Sequence, residues 1–237
     1  MRWKYLFLVM AINLLTIFLG LSACNTPPPS ETGSGKLQVV ATTTIVSDIL
    51  QHVGGDKIAL TTLLPWGVDP HSYEPVPQDI ARVSDADVIF AHGAGLEGFL
   101  QILLESASAE GKIVHVSDGI KLLQTTDLNE GDHTEDGHPE DGYESGDPHT
   151  WTDPNNVMIW VQNIQNKLSE MDPDNAGYYQ ENASSYLTEL QNLDAWIRSE
   201  IDKIPLENRK IVTDHLLFGY FCAAYGFEQV GALVPAY

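Results

Sequence analysis

The feature that most constrains the fold is an alternation of short apolar runs with stretches of helical character, which begins at Leu37. Strands are predicted at LQVVATTT, KIALTTLLP, DVIFAHG and KIVHVS, and helices at IVSDILQHV, QDIARVSDA and GLEGFLQILLESA. Strands that alternate with helices are typical of a parallel sheet covered on both faces. Because such sheets bind ligands outside the carboxyl ends of their strands, residues that follow the strands are the first candidates for function.

The second half of the chain predicts two helices and the beginning of another α/β unit. NNVMIWVQNIQNKLSEM is predicted as a helix with Asp153 as N-cap and Pro154 at its first position. A longer helix is predicted from Asp174 to about Lys203, and its length of about 45 Å would let it join two lobes. RKIVTDH, LLFGYFCAAYG and FEQVGALVPAY then predict a strand, a helix and a strand. So short a segment cannot bury a core alone, so we expect a second lobe that is incomplete in this chain.

The N-terminus predicts export. Arg2 and Lys4 precede an apolar run that ends in Leu-Ser-Ala-Cys24, and this resembles the lipobox of bacterial lipoproteins, in which Cys24 carries the lipid. A plain signal peptide or an uncleaved anchor is the alternative. Lipidation of Cys24 leaves Cys222 without a disulfide partner, so the mature domain is not a disulfide scaffold. The net charge of −21 argues against nucleic acid as a partner and fits a cationic ligand.

The tripeptide Asp-Pro-His occurs twice, at 69–71 and 147–149. Proline fixes its own φ and restricts the residue before it, so His71 and His149 are presented by stiff loops, which suits metal ligands. Two exposed turns are the alternative. A histidine ligand also needs its second ring nitrogen held, and the sequence offers two acidic candidates for each histidine without deciding between them: Asp69 or Glu74, and Asp147 or Asp153.

Other histidines are weaker candidates. His215 stands at the carboxyl end of a predicted strand, where a ligand is as expected as an ordinary loop residue. The segment 127–147 is rich in Asp and Glu, contains no Lys or Arg, and includes His133 and His138, so it predicts either a solvated loop or weak accessory metal capture. The rest are expected to be structural or exposed, or to pack the ligand loops: His52, His92, His115, Trp66, Tyr73 and Trp151.

Four segments in this order carry a family resemblance: GVDPHSYEP, DPHTWTDP, the long helix and HLLFGYFCAAYGF. Together they resemble the substrate-binding lipoproteins of zinc and manganese ATP-binding-cassette importers, cluster A-I, also grouped as periplasmic solute-binding protein family 9. The resemblance implies two α/β lobes joined by a long backbone helix, with a metal between them. It also implies the ligands His71, His149 and His215, and a fourth ligand from a part of the second lobe beyond residue 237.

The resemblance also implies the organisation of the chain and its partners. The expected divisions are a signal peptide at 1–23, a tether at 24–36, an N-terminal lobe at 37–172, a linking helix at 173–204 and the start of a second lobe at 205–237. The expected protein is a monomer, lipid-anchored outside the cytoplasm, that delivers its ion to a permease served by an ATPase subunit.

Zinc is the expected ion, with manganese or iron as the alternative. Three neutral imidazoles and one open position suit tetrahedral Zn²⁺, whereas manganese sites favour more oxygen ligands. In the resembled family, manganese binders often place Glu where His215 stands, and an acidic histidine-containing loop is a feature of zinc members. No catalysis is expected. A zinc hydrolase is the leading alternative, although the sequence has no His-Glu-x-x-His motif. An adhesin-like surface protein with structural metal is another alternative.

If imidazoles hold the ion, its affinity depends on pH. Only the neutral ring binds metal, and an unperturbed imidazole titrates near pH 6.5, so we expect zinc affinity to fall as pH drops through about 6.5. Calorimetry with a competing chelator from pH 8 to pH 5 measures this. Binding that did not change across that range would count against a histidine site.

Overall fold

The structure is a computed structural model that describes residues 35–70, 72–124 and 146–234. Within these ranges the chain from Lys36 onward forms one compact unit. Four residues singled out from the sequence lie outside the described residues: Cys24, His71, His133 and His138. None of the helices in the described ranges has the length and apolar character needed to cross a membrane.

The first sheet has four parallel strands in the described part of the chain, in the order β2-β1-β3-β4. The strands are β1 (Leu37–Ala41), β2 (Ile58–Thr62), β3 (Val88–Ala91) and β4 (Ile113–His115). The helices between them are α1 (Thr44–Gly54), α2 (Pro77–Asp85) and α3 (Leu100–Ala107). This is the parallel α/β arrangement that the alternating pattern predicted.

The two faces of this sheet bury separate cores, because successive side chains of a strand point to opposite faces. In β1, Val39 and Ala41 contribute to one core and Val40 to the other. In β3, Phe90 belongs with Val39, and Ile89 belongs with Val40. Both faces are apolar, which explains why these strands read as continuous hydrophobic runs in the sequence.

Two helices, α4 (Pro154–Met171) and α5 (Ala176–Ile201), complete the first core. The Asp153 side chain caps α4 by accepting a hydrogen bond from the amide of Asn155, and Pro154 occupies the first turn, as predicted. Helix α5 has 26 residues, so the long helix is confirmed. It contacts α1 through its Asn182, whose side-chain amide donates to the carbonyl of Val53.

The chain beyond α5 forms a second, two-stranded parallel sheet in the described residues. Its strands are β5 (Lys210–Thr213) and β6 (Glu228–Ala232), and α6 (Gly219–Tyr225) connects them. The buried side chains of α6 are Tyr220, Cys222 and Tyr225. The α/β pattern therefore begins again after the long helix, as the sequence indicated.

Helix α3 begins later than predicted. Helical structure was expected from Gly95, but the regular helix begins at Leu100, because residues 93–97 form a turn around the Glu97 carboxylate. This buried carboxylate accepts hydrogen bonds from the backbone amides of His92 and Gly93 at 2.6 and 3.1 Å. It also accepts one from the Thr42 hydroxyl at 2.6 Å, so it joins the carboxyl ends of β1 and β3. Burial raises the pKa of the Glu97 carboxyl, and these hydrogen bonds oppose that shift.

Replacement of Glu97 should therefore weaken the sheet at its functional end. Glu97→Ala leaves three buried donors without their acceptor, and we expect a loss of roughly 3 kcal/mol in the free energy of unfolding. Glu97→Gln keeps one acceptor oxygen and should lose less. Urea denaturation followed by far-UV circular dichroism measures both variants. Equal stability of the two variants would contradict this assignment.

Candidate metal centre

His149 and His215 come together from distant parts of the chain. His149 lies in the turn that precedes α4, and His215 lies two residues beyond the end of β5. Their ring centroids are 5.2 Å apart. His149 is buried, whereas the side chain of His215 keeps 27% of its surface exposed. The structure therefore brings together two of the three histidines predicted as ligands.

Asp147 orients the His149 ring. Its Oδ1 lies 2.7 Å from His149 Nδ1 and also accepts a hydrogen bond from the His149 backbone amide at 2.9 Å. A proton on Nδ1 makes Nε2 the lone-pair nitrogen of the neutral ring, which is the form that binds metal. The sequence left Asp147 and Asp153 as alternatives for this contact. Asp147 makes it, and Asp153 caps helix α4 instead.

Contacts to its backbone and to its ring hold His215 in place. Its amide donates to Asp214 Oδ1 at 2.9 Å, and its ring Nδ1 lies 3.3 Å from the same oxygen. The His215 amide and ring hold the pKa of the exposed Asp214 carboxyl below its ordinary value. The His215 carbonyl accepts hydrogen bonds from the Thr213 hydroxyl and from the Gln229 side chain. His215 thus follows the carboxyl end of a parallel strand, which is the position that the sequence predicted for it.

A layer of aromatic rings lies against His149. Trp151 makes an edge contact with His149 at a centroid distance of 5.2 Å and with the buried His92 at 5.0 Å. His92 in turn contacts Trp160 at 4.6 Å, and its Nε2 lies 3.4 Å from the Thr150 hydroxyl. His92 therefore supports the turn that carries His149, which agrees with a structural role. Trp151 packs this turn, as predicted.

The segment that follows the first Asp-Pro-His is tied to helix α2. Asp79, which is buried, accepts hydrogen bonds from the Tyr73 hydroxyl at 2.6 Å and from the Val76 amide at 2.9 Å. Burial, followed by the Asp79 carboxylate, raises the pKa of Tyr73 to about 12. Tyr73 also packs edge-on against Phe99, so it packs the loop as predicted. The same prediction for Trp66 is wrong, because Trp66 is 88% exposed.

The remaining histidines lie in regular elements. His52 is on α1, where its ring stacks on Tyr186, and His115 is the last residue of β4. Within residues 35–70, 72–124 and 146–234, no group of three or more Asp, Glu, His or Cys side chains is placed to hold an ion. The described part of the centre is therefore the pair His149 and His215 with its supporting carboxylates.

One supporting residue was missed in the sequence. The buried Tyr220 donates a hydrogen bond from its hydroxyl to the carbonyl of Asp147 at 2.7 Å. In the sequence, Tyr220 is marked only by its place in the segment HLLFGYFCAAYGF. That segment carries the family resemblance, but it does not indicate the contact with Asp147.

Known proteins resemble this chain over most of its length. Residues 39–236 match the family described as "Zinc-uptake complex component A periplasmic". The manganese-binding lipoprotein MntA of Halalkalibacterium halodurans is 40% identical over 225 residues, which cover 95% of this chain and 68% of that protein. The chain thus spans about two thirds of the length of this relative.

Solved structures show the same fold. Zn(II)-bound AdcA from Streptococcus pneumoniae aligns with a TM-score of 0.70 and 27% identity, over 83% of this chain and 39% of AdcA. The Mn-bound periplasmic metal-binding protein from Candidatus Liberibacter asiaticus aligns with a TM-score of 0.69 and 30% identity, over 83% of this chain and 68% of that one.

The contact between Asp147 and His149 gives a test of the centre. We expect Asp147→Ala to weaken metal binding about 10- to 100-fold, because the His149 ring loses the carboxylate that orients it. Isothermal calorimetry with a competing chelator measures the change. Asp153→Ala is the matched control, since it removes a neighbouring carboxylate that caps a helix; it should cost about 1 kcal/mol of stability and leave affinity unchanged. Equal loss of affinity in both variants would contradict the assignment.

Proposed function

The chain belongs to the family of periplasmic zinc-uptake components, and from that premise we propose that it captures Zn²⁺ outside the cytoplasm and delivers it to the permease of an ATP-binding-cassette importer. The ion is cargo in this proposal, and no reaction is catalysed. Relatives such as ScbA of Streptococcus cristatus and PsaA of S. pneumoniae are named as substrate-binding lipoproteins of metal transporters, and the protein is extracytoplasmic as they are. We also propose that a lipid on Cys24 anchors the protein, with a signal peptide at 1–23 and a tether at 24–36.

The observation that carries the proposal is the approach of His149 to His215. Two imidazoles from segments far apart in sequence meet with ring centroids 5.2 Å apart, and a buried carboxylate orients one of them. A metal site requires convergence of this kind, and a purely structural core does not. We propose His71, from the first Asp-Pro-His, as the third ligand. His133 and His138 are proposed only as accessory capture residues.

The imidazole ligands favour zinc as the cargo, whereas the names of the relatives favour manganese. The described pair consists of imidazoles, which suit Zn²⁺ at Zn–N distances of about 2.0–2.1 Å. Carboxylate oxygens suit Mn²⁺ better, and here Asp147 is engaged with His149. However, MntA of H. halodurans and PsaA of S. pneumoniae are named for manganese. Mn²⁺ is therefore the second candidate cargo, and it fits the family at least as well.

A metal titration of the purified chain tests the proposal. We expect one tight site for Zn²⁺, which His149→Ala and His215→Ala each weaken by at least about 100-fold because each removes one ligand of a chelate. Mn²⁺ competed against Zn²⁺ in the same cell measures the preference of the site between the two ions. Preference for Mn²⁺ would replace zinc with manganese in this proposal.

Two controls separate the site from its alternatives. Deletion of residues 127–146, which keeps Asp147, should alter stoichiometry or capture rate but leave the tight site. Weak binding at several positions, unaffected by His215→Ala, would mean that the histidine centre is not the binding site. Chelator-sensitive hydrolysis of esters, peptides or phosphates by the purified chain would instead favour a zinc hydrolase.

A further inference from the structure

Tyr220 lies between the segments that carry His149 and His215. It is on α6, five positions after His215, and its side chain is 5% exposed. Its hydroxyl donates to the carbonyl of Asp147 at 2.7 Å and accepts a hydrogen bond from the amide of Leu123 at 3.1 Å. The Asp147 amide donates to the Leu123 carbonyl at 2.7 Å, so the three residues form a closed group. One phenol therefore joins α6 to the loop whose carboxylate orients His149.

The backbone of α6 approaches the same carboxylate closely. A Cβ atom placed on Gly219 would lie 2.6 Å from Asp147 Oδ2, which is closer than real Cβ contacts allow. Glycine at 219 therefore lets the start of α6 pack directly against Asp147. The close approach of Gly219 involves the side chain of Asp147, and the Tyr220 hydrogen bond involves its backbone carbonyl. Together they fix the position of α6, and of the segment before it, relative to the loop that contains Asp147.

We propose that Tyr220, with Gly219, is a positioning residue that sets the separation of His149 and His215. The proposal rests on the proposed function, because it assumes that these two histidines are ligands. Two nitrogen ligands of a tetrahedral Zn²⁺ lie about 3.3 Å apart when each Zn–N distance is about 2.0–2.1 Å. Neither ring can shift far without loss of that geometry. His149 is already fixed by Asp147, so the remaining freedom is that of the segment that leads from His215 into α6.

The chain offers a matched control on the same helix. Tyr225 is 4% exposed, and its hydroxyl donates to Asp194 on α5 at 2.8 Å. Tyr220→Phe and Tyr225→Phe therefore remove the same atom from equally buried side chains of α6. Only the first removal breaks a bond to the Asp147 loop. A general loss of stability in α6 should affect both variants alike.

The experiment measures Zn²⁺ affinity by competition with a chelator, together with the visible spectrum of bound Co²⁺ and the melting temperature. We expect Tyr220→Phe to raise the Kd for Zn²⁺ about 10- to 100-fold, the range typical of residues that orient metal ligands. Its Co²⁺ spectrum should change, because the ligand geometry changes. Tyr225→Phe should show a similar loss of melting temperature, with an unchanged spectrum and a Kd within about twofold of the parent chain.

Two further variants make the outcome decisive. Gly219→Ala places a methyl group against the Asp147 carboxylate and should also weaken binding. It serves as the test if Tyr220→Phe does not fold. His149→Ala reports on the site itself. An unchanged Kd in Tyr220→Phe or Gly219→Ala beside a weakened His149→Ala would overturn the role of Tyr220 alone. Unchanged binding in His149→Ala would overturn both this inference and the proposed function. Equal weakening by the two tyrosine variants would mean that α6 stability alone matters.

Discussion

The geometry of the centre depends on one buried carboxylate, that of Asp147. Burial of a charge is costly unless hydrogen bonds compensate it, and Asp147 receives them from both the ring and the backbone of His149. Its backbone atoms are also paired, with Leu123 and with Tyr220. One residue therefore fixes the ring of His149, the path of its loop and the packing of α6. The Asp147 side chain reaches both the ring and the amide of His149, two residues later, across Pro148.

The parallel sheets place these residues where they can meet. His92 links the turn that carries His149 to the first sheet. It directly follows strand β3, and its ring contacts Thr150, the residue after His149. His215 follows β5 of the second sheet. The long helix α5 separates the two sheets in sequence, and its Asp194 binds both Tyr225 of α6 and Asn155 near the start of α4. The helix is thus a common support for the elements that carry the two histidines.

Much of the fold could be predicted because its signals are local. Alternation of apolar runs predicted the strands, and Asp153 with Pro154 predicted the start of α4. The late start of α3 could not be predicted, because Glu97 engages the backbone of His92 and Gly93 and a hydroxyl on β1, a contact that only the folded sheet creates. The choice of Asp147 over Asp153 and the role of Tyr220, which is 73 residues from Asp147, likewise required tertiary structure. The exposure of Trp66 has no local signal either.

The engagement of Asp147 bears on which ion the protein carries. Intrinsic affinities for divalent metals favour Zn²⁺ over Mn²⁺ at almost any site, so a manganese carrier must obtain preference from oxygen ligands and from geometry. Asp147 directs one oxygen to His149, and Asp214 directs one to the amide and ring of its own neighbour, His215. These carboxylates therefore support imidazoles rather than offering those oxygens to the ion. If the cargo were Mn²⁺, its additional oxygen ligands would have to come from other residues or from water, whereas Zn²⁺ requires only one further imidazole and an open position.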